Sequence, residues 1–286
     1  MSNVLPQHRF HPRQYDENKF VYPVVSRRSQ GVSLGVNLNP DKVCNFDCIY
    51  CQVDRRSEAE TKFVEMDRLL AELDHMLAFI TSGAIWETDR FRDVPEYLRR
   101  LNDIAFSGDG EPTTFRNFDD IIEQAAKLKA KFKLAFVKLV LITNASMFHR
   151  ENVQRGLKKL DENNGEIWAK LDAGTEEYYQ QIERTKIPFQ RILDNIRDVA
   201  IVRPIVIQSL FMQVDGVGPS EQEISAYIQR LNEIVAVGGQ IKLVQIYTVA
   251  RTPAESSVTA LPNDAVDQIS KQVRQETGLS VSPYFG

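Results

Sequence analysis

Six short apolar runs, rich in β-branched residues, recur along the chain and predict strands. They are VSLGVNL (32–38), DIAFS (103–107), FVKLVLIT (136–143), EIWAKL (166–171), IVIQSLF (205–211) and KLVQIYTV (242–249). Stretches with helical periodicity lie between or after them, at residues 63–80, 118–132, 183–199, 219–237 and 262–278. Strands and helices in alternation predict an α/β fold with a parallel sheet and helical crossovers. Periodicity alone leaves a doubly wound sheet and a partial barrel both open.

The chain of 286 residues contains no Ser/Gly-rich linker. This predicts one domain over residues 32–286, with a C-terminal helix and tail, after an N-terminal extension of residues 1–31. Residues 1–20 lack the apolar core of a secretory signal, and no apolar run is long enough to span a membrane. With a net charge of −4, nucleic acid is a possible partner but not a favoured one. We therefore expect a cytoplasmic protein without membrane association.

Polar or glycine-rich segments follow the predicted strands at one common end. They are a cysteine loop, SGDGEPT (107–113), TNAS (143–146), KLDAG (170–174), Gln208 with Ser209, and YTVAR (247–251). Parallel α/β folds place their chemistry at the carboxyl ends of the strands. The pattern therefore predicts an enzyme with one site on that face of the sheet.

The cysteine loop CNFDCIYC contains Cys44, Cys48 and Cys51, which are the three cysteines of the chain. An odd, clustered number without an export signal indicates metal or redox chemistry rather than disulfides. Structural zinc needs four ligands, so a histidine would have to complete such a site. The histidines are His8, His11, His75 and His149. Three thiolates favour instead a [4Fe–4S] cluster with one open iron, since electron-carrying clusters use four cysteines. A zinc site and a group of reactive thiols remain alternatives.

Two motifs resemble those of the radical S-adenosylmethionine (SAM) superfamily. CNFDCIYC is similar to its C-x3-C-x-Φ-C signature, with Tyr50 at the aromatic position, and SGDGEPT is similar to its Gly-Gly-Glu-Pro turn. The resemblance spans roughly residues 32 to 250, and is nearest to the iron–sulfur oxidoreductases related to wyosine-type tRNA synthases. It implies a partial (β/α)6 barrel of parallel strands with outer helices. It also implies that a reduced [4Fe–4S] cluster cleaves SAM and starts radical chemistry on a substrate.

The resemblance implies roles for individual residues, and the alternation of the fourth strand, which puts Trp168, Lys170 and Asp172 on one face, indicates that Lys170 has a functional role. The three cysteines and Lys170 are the expected catalytic residues. The residues expected to bind SAM are Tyr50, Gly108, Gly110, Glu111, Asn144, Lys170, Asp172, Gln208, Tyr247 and Arg251. Other roles remain open: a tight turn for the glycines, a helix cap for Asn144, and core hydrogen bonds for Gln208 and Tyr247. We expect substitution of Gly110 or Glu111 to weaken SAM binding and to leave the iron content intact.

Three functions are compatible with these features. The first is a radical SAM enzyme acting on an unidentified small molecule or protein. The alternative is a tRNA-modifying enzyme of the wyosine-synthase type, and a non-enzymatic iron–sulfur electron carrier comes third. The sequence contains no second cysteine group, so electrons must come from a donor of the flavodoxin or ferredoxin type. Four arginines near the cysteine loop are expected to dock an acidic donor, unless they pair with local acids. They are Arg27, Arg28, Arg55 and Arg56.

Overall fold

The computed structural model describes residues 15–251, 253 and 255–286. Eight strands form one curled sheet in the order β1-β2-β3-β4-β5-β6-β8-β10, and β7 pairs with β9 in a small second sheet. The strands are β1 (Val21–Ser26), β2 (Gly31–Val36), β3 (Leu101–Phe106), β4 (Lys138–Thr143), β5 (Gly165–Lys170), β6 (Ile205–Leu210), β7 (Met212–Val214), β8 (Ile241–Tyr247), β9 (Val258–Ala260) and β10 (Val281–Tyr284). The helices are α1 (Met66–Thr81), α2 (Phe118–Lys131), α3 (Glu151–Asp161), α4 (Glu176–Glu183), α5 (Phe189–Val202), α6 (Glu221–Ala236) and α7 (Asn263–Thr277).

The main sheet is parallel from β2 to β10, and β1 joins it as an antiparallel edge strand. The curled sheet with its helices is a partial TIM-like barrel, which confirms the predicted fold class. The six predicted strands are the six consecutive strands β2, β3, β4, β5, β6 and β8. Their carboxyl ends lie at one end of the barrel, where the polar segments follow them.

The two edge strands were not predicted. Pro23 lies in β1 and Pro283 lies in β10, and proline weakens a strand prediction because it cannot donate to a ladder. Both prolines are tolerated here because edge strands leave one side unpaired. The predicted N-terminal extension therefore includes part of the barrel, since its residues 21–26 form an edge strand of the barrel sheet. His8 and His11 lie outside the described residues.

The helices differ from prediction at two places. The helix predicted over 183–199 begins later, as α5 at Phe189, because Arg184 adopts the left-handed conformation (φ 46°) and Pro188 precedes α5. Helix α4, which ends at Glu183, was not predicted. Helix α3 was not predicted, although Val153, Leu157 and Leu160 have helical spacing and are fully buried. None of the described helices is long and apolar enough to cross a membrane.

The main core lies between the sheet and the helices, and a smaller apolar cluster lies inside the barrel. The inner cluster consists of Ala105, Val140, Trp168 and Val206, with Ile142 and Leu243 against it. At the amino ends of the strands, Glu166 accepts a bond from the Trp168 indole (2.7 Å) and pairs with Lys138 (2.9 Å). The barrel interior is therefore closed at that end by paired polar groups and remains open toward the carboxyl ends.

Candidate functional site

The loop after β2 brings the three cysteines to the carboxyl end of the barrel. All three are half-buried, unpaired in disulfides, and line one cavity of about 320 Å³ that runs into the barrel. This volume lies within the range of small-molecule pockets. Backbone bonds hold the loop: Cys51 N–H donates to the Cys48 carbonyl (2.9 Å), and Ile49 N–H donates to the Ile182 carbonyl at the end of α4 (2.9 Å).

Each thiol has a distinct environment. The Cys48 sulfur lies 2.7 Å from a carboxylate oxygen of Glu183, and Arg55 Nη2 lies 3.6 Å from the Cys51 sulfur. Burial raises the pKa of the Cys44 and Cys48 thiols, and Glu183 raises that of Cys48 further. Burial and then Asp172 raise the pKa of Glu183 in turn. Thiolates formed on binding iron would thus be stabilised by Arg55, and a protonated Glu183 would donate to Cys48.

The donor set fits an iron–sulfur cluster. Three soft sulfur ligands line the same cavity, and the Arg55 guanidinium lies at their edge. In the part of the chain that the structure describes, no three His, Cys, Asp or Glu side chains are grouped so as to hold a metal ion. Ligands of a cluster bind different irons, so they need not converge on one point.

The SGDGEPT turn packs against the segment that leads into the cysteine loop. A Cβ atom at Gly108 would lie 2.2 Å from Asn37 Oδ1, and one at Gly110 would lie 2.2 Å from the Val43 carbonyl oxygen. Asn37 also accepts a bond from Asp109 N–H (3.1 Å). The two glycines are therefore required for close approach, which supports the tight-packing alternative whether or not their backbone also binds SAM.

Glu111 connects this turn to the end of β4. Its Oε1 accepts bonds from Thr113 N–H (3.1 Å) and the Thr143 hydroxyl (2.6 Å), and its Oε2 accepts one from Asn144 N–H (2.7 Å). Asn144 Nδ2 donates to Asn45 Oδ1 in the cysteine loop (2.9 Å). Asn144 is not the cap of α3, whose N-cap residue is Arg150. Both side chains hold the two motifs in register, and their predicted contacts with SAM remain predictions.

Lys170 projects into the cavity, as the alternation of β5 predicted. Its ammonium lies 2.9 Å from Asp172 and donates to the Tyr247 hydroxyl (2.8 Å). Burial lowers the pKa of Lys170, but Asp172, Tyr247 and Glu183 together raise it above its usual value. Tyr50 donates to Asp172 Oδ2 (2.6 Å), the same oxygen that lies nearest to the ammonium. This buried network connects the aromatic residue of the cysteine motif to β5 and β8.

The structure brings the predicted residues together. All of the predicted site residues except Asp172 line the cavity, and Asp172 contacts two that do. Gln208 donates to Gln245 Oε1 (2.9 Å), as a core hydrogen bond would require. The Arg251 carbonyl accepts a bond from the Gln52 amide (3.2 Å), which places the residue after β8 against the cysteine loop.

Sequence reasoning missed several residues of the site. Glu183 is distant in sequence from the cysteine loop and carried no signal. Asn37 and Asn39 carried a weak one, because a polar NLN segment at the end of a strand is unusual. Tyr22 donates to the Ser107 carbonyl (3.2 Å), and its ring fills the space above Gly35. It was missed because β1 was assigned to the extension.

The four arginines expected to dock a donor do not share one surface. Arg27 and Arg28 line the cavity, and so does Arg55, whose Nη1 donates to the Phe46 carbonyl (2.7 Å). Arg56 is exposed, and its backbone N–H donates to Asp54 (2.9 Å). Docking of a donor requires an exposed side chain, and of these four arginines Arg56 is the one that is exposed.

A family model described as the Radical SAM superfamily matches residues 38–212, which include both motifs and the strands from β3 to β6. The chain belongs to the Radical SAM superfamily. Membership implies an enzyme that uses SAM and an iron–sulfur cluster, and the geometry of the three thiols fits that implication.

Curated relatives share part of their length with this chain. A protein named GTPase Obg from Brachyspira hyodysenteriae is 22% identical over 266 residues, which are 91% of this chain and 34% of that protein. UPF0026 proteins of Methanocaldococcus jannaschii and Synechocystis are each 29% identical, over 57% and 62% of this chain and 43% and 58% of their own lengths. The chain thus spans between a third and three fifths of these relatives.

Solved structures share the fold at low identity. A radical SAM methyltransferase from Sphaerobacter thermophilus has a TM-score of 0.63 at 12% identity, covering 92% of this chain and 68% of its own. Streptococcus suis SuiB bound to S-adenosylmethionine has a TM-score of 0.57 at 12% identity, with coverages of 90% and 52%. TYW1 with a lysine–pyruvate adduct bound has a TM-score of 0.51 at 16% identity, with coverages of 86% and 74%.

Proposed function

We propose that this chain is a radical SAM enzyme that holds a [4Fe–4S] cluster through Cys44, Cys48 and Cys51 and acts on a small molecule or a protein. The observation that carries the proposal is the meeting of the three half-buried thiols and the Gly108–Glu111 turn at one cavity. When bound, the cluster and SAM supply a one-electron reductive cleavage that begins radical chemistry on the substrate.

The residues of the chain have defined tasks in this proposal. The turn that contains Gly108 and Gly110 presents backbone to SAM beside the cluster, and Glu111 fixes that turn against β4. Lys170, held as an ammonium by Asp172, provides a positive charge inside the cavity. The barrel wall excludes water from the space in which the radical would form.

Anaerobic reconstitution tests the cluster. We expect about four irons per chain, by analogy with open cubane clusters, and a charge-transfer absorption that Cys44→Ala, Cys48→Ala and Cys51→Ala each abolish. A chain that instead purifies anaerobically with one zinc and no such absorption would contradict the proposal. A matched control is Ser209→Ala, which changes a buried polar side chain outside the cavity.

Cleavage of SAM tests the chemistry. The dithionite-reduced protein should convert SAM to 5′-deoxyadenosine and methionine, slowly in the absence of substrate. Methylthioadenosine as the main product would mean that another carbon–sulfur bond breaks, and would refute the proposed reaction. The cysteine variants serve as negative controls, because they retain the SGDGEPT turn without the cluster.

A tRNA-modifying function is the second candidate, and the fold similarity to TYW1 favours it. That TYW1 structure has a lysine–pyruvate adduct bound, and forming such an adduct requires a lysine that can attack a carbonyl. Lys170 is the lysine that lines the cavity in the described part of this chain, and its paired ammonium has a raised pKa. A paired ammonium must first lose its proton before it can attack a carbonyl, so Lys170 gives the second candidate no added support. Mass spectrometry of nucleosides and metabolites from a deletion strain separates the two.

The proposed enzyme needs an external source of electrons and a reducing environment. Electrons reach the cluster from an acidic donor of the flavodoxin or ferredoxin kind, a role supported by the exposed Arg56 beside the cysteine loop. The unpaired thiols support a reducing cytoplasm as the location. The similarity to a protein named GTPase gives no support to a GTPase activity, because this sequence has no G-x4-G-K-[ST] motif to bind a nucleotide phosphate.

A further inference from the structure

Arg28 lies in the turn between β1 and β2, and its side chain enters the cavity. Its guanidinium carbon lies 5.6 Å from the centre of the Trp168 ring and 5.0 Å from that of the Tyr247 ring. Trp168 and Tyr247 belong to β5 and β8, on the opposite side of the curled sheet from the β1–β2 turn. Arg28 therefore reaches across the barrel interior to two aromatic faces.

A second contact fixes this placement. The neighbouring Arg27 donates through Nη1 to the carbonyl of Phe285, directly after β10. Because β1 and β10 are the two edges of the curled sheet, this bond joins the β1–β2 turn to the far edge. The turn is thereby held across the open side of the barrel, and Arg28 is directed inward from a supported backbone.

No anion accompanies Arg28. Among residues 15–251, 253 and 255–286, the neighbours of its guanidinium are the rings of Trp168 and Tyr247 and the Tyr284 hydroxyl, whose pKa burial raises and Arg28 acts to lower, and none of these is a carboxylate. Other charged groups of the cavity are already engaged: Lys170 pairs with Asp172, and Glu111 accepts bonds from the β4 end. Arg28 thus carries a positive charge that its aromatic neighbours only partly offset.

The way in which Arg28 is held suits it to bind an oxyanion. The cation–π contacts with Trp168 and Tyr247 are made without hydrogen bonds, so the N–H donors of the guanidinium are not used by them. Those donors match the two oxygens of a carboxylate or a phosphate and can form two parallel bonds with them. A partly desolvated site in the barrel strengthens such a pair relative to one in water.

The position of Arg28 distinguishes this site from that of SAM. Trp168 precedes Lys170 by two residues on the inward face of β5, so it lies deeper than the level at which Lys170 contacts Tyr247. The cysteines and the Gly108–Glu111 turn lie at the carboxyl ends of the strands, above both. The Arg28 guanidinium faces the interior below the motif loops, where a substrate would lie.

We infer that Arg28 binds a carboxylate or phosphate group of the substrate, held against Trp168 and Tyr247 inside the barrel. The inference rests on the proposed function, in which this cavity contains the substrate beside SAM. The substrate would then be an anionic small molecule or a protein with an anionic side chain. The β1–β2 turn would help to select it, because this turn carries Arg28.

Trp168 provides a local probe of the site. The chain has two tryptophans, so Trp86→Phe leaves Trp168 as the single one in the full-length protein. Inorganic phosphate and, separately, acetate are titrated into the cluster-free protein at constant ionic strength set with chloride. We expect a saturable change in Trp168 emission with at least one of them, and the one that binds more tightly identifies the oxyanion.

Variants of Arg28 complete the test. Arg28→Gln should weaken the titrated anion at least tenfold, and Arg28→Lys, which keeps the charge without the fork, should fall between. Arg191→Gln, at an exposed arginine on α5, should leave the titration unchanged. Thermal unfolding of each variant establishes that the fold is retained, and Arg28→Lys supplies a second comparison if Arg28→Gln unfolds.

The outcomes separate this inference from the proposed function. Absence of a saturable response to either anion, or an equal response in Arg28→Gln, overturns the anion site. Loss of SAM binding in reconstituted Arg28→Gln also overturns it, because the arginine would then serve the SAM carboxylate. An Arg28-dependent titration in a protein that never cleaves SAM supports the anion site and refutes the radical function alone.

Discussion

A Cβ atom at Gly110 would lie 2.2 Å from the carbonyl oxygen of Val43. Val43 directly precedes Cys44, so the second motif packs against the backbone that positions the first cysteine. A carbonyl in a loop between two fixed segments cannot move away as the end of a flexible side chain can. The geometry couples the two motifs more tightly than their separate roles would suggest.

Gly110→Ala should therefore reduce iron loading as well as SAM affinity, contrary to the expectation from the sequence that iron content would remain intact. We expect a stability loss of about 1–3 kcal/mol from overpacking, measured by urea unfolding, together with fewer irons per chain after reconstitution. Gly218→Ala is the matched control, since its Cβ would approach only the Leu261 side chain, at 3.1 Å. Full iron content in Gly110→Ala would show that the Val43 contact is unimportant.

Glu111→Gln should destabilise the fold. The groups around the Glu111 carboxylate donate hydrogen bonds to it, and each of its two oxygens accepts a backbone N–H. In either orientation of the glutamine amide, its NH₂ group would therefore face an N–H donor instead of an acceptor. One buried donor left without an acceptor costs about 1–3 kcal/mol, and the urea midpoint should fall accordingly. Glu177→Gln, at an exposed position on α4, should leave the midpoint unchanged. A variant of normal stability that has lost SAM affinity would instead show that Glu111 contacts the cofactor directly.

Asp103 should make stability depend on pH. Burial raises its pKa to about 6, against an opposing hydrogen bond from Ser33. Because the folded pKa exceeds the ordinary value of 3.8, this stabilising contribution is complete below about pH 4 and is lost as the pH rises through 6. Asp103→Asn should therefore gain stability relative to the wild type between pH 4 and pH 7, by up to about 3 kcal/mol.

The measurement for Asp103 is urea unfolding of both proteins at several pH values across that window. Asp93→Asn, at an exposed position, controls for the substitution itself. Parallel stability curves for Asp103→Asn and the wild type would mean that Asp103 is ionised in the folded state at acidic pH.

Arg56→Gln should slow reduction of the cluster by reduced flavodoxin several-fold at low salt and flatten its salt dependence. Exposed charges act over about 8–10 Å at physiological ionic strength, so they accelerate encounter more than they tighten binding. Arg55 is unsuitable for this test, because its bonds to Phe46 and Cys51 support the cysteine loop. Reduction by dithionite should remain normal, and so should the flavodoxin rate of Arg155→Gln. A rate indifferent to salt and to Arg56 would remove the docking role.

Local patterns predicted most of the barrel and both motif loops. Six apolar runs indicated the consecutive strands because buried parallel strands are continuous in apolar residues, and the cysteine spacing indicated a cluster through ligand count alone. The prediction failed where local signals conflict with context. Pro23 and Pro283 concealed the edge strands, and the left-handed Arg184 moved the start of a predicted helix from residue 183 to Phe189.

The sequence by itself therefore determined the α/β alternation, the parallel strands and the three thiols at the carboxyl end of the barrel, because each depends on residues close together in the chain. Only the tertiary structure decided what surrounds them. Glu183 contacts Cys48 across 135 positions, and Arg28 reaches Trp168 and Tyr247 from a turn at the sheet edge. These contacts arise from the curl of the sheet, which brings distant strands to face one another and which no local pattern encodes.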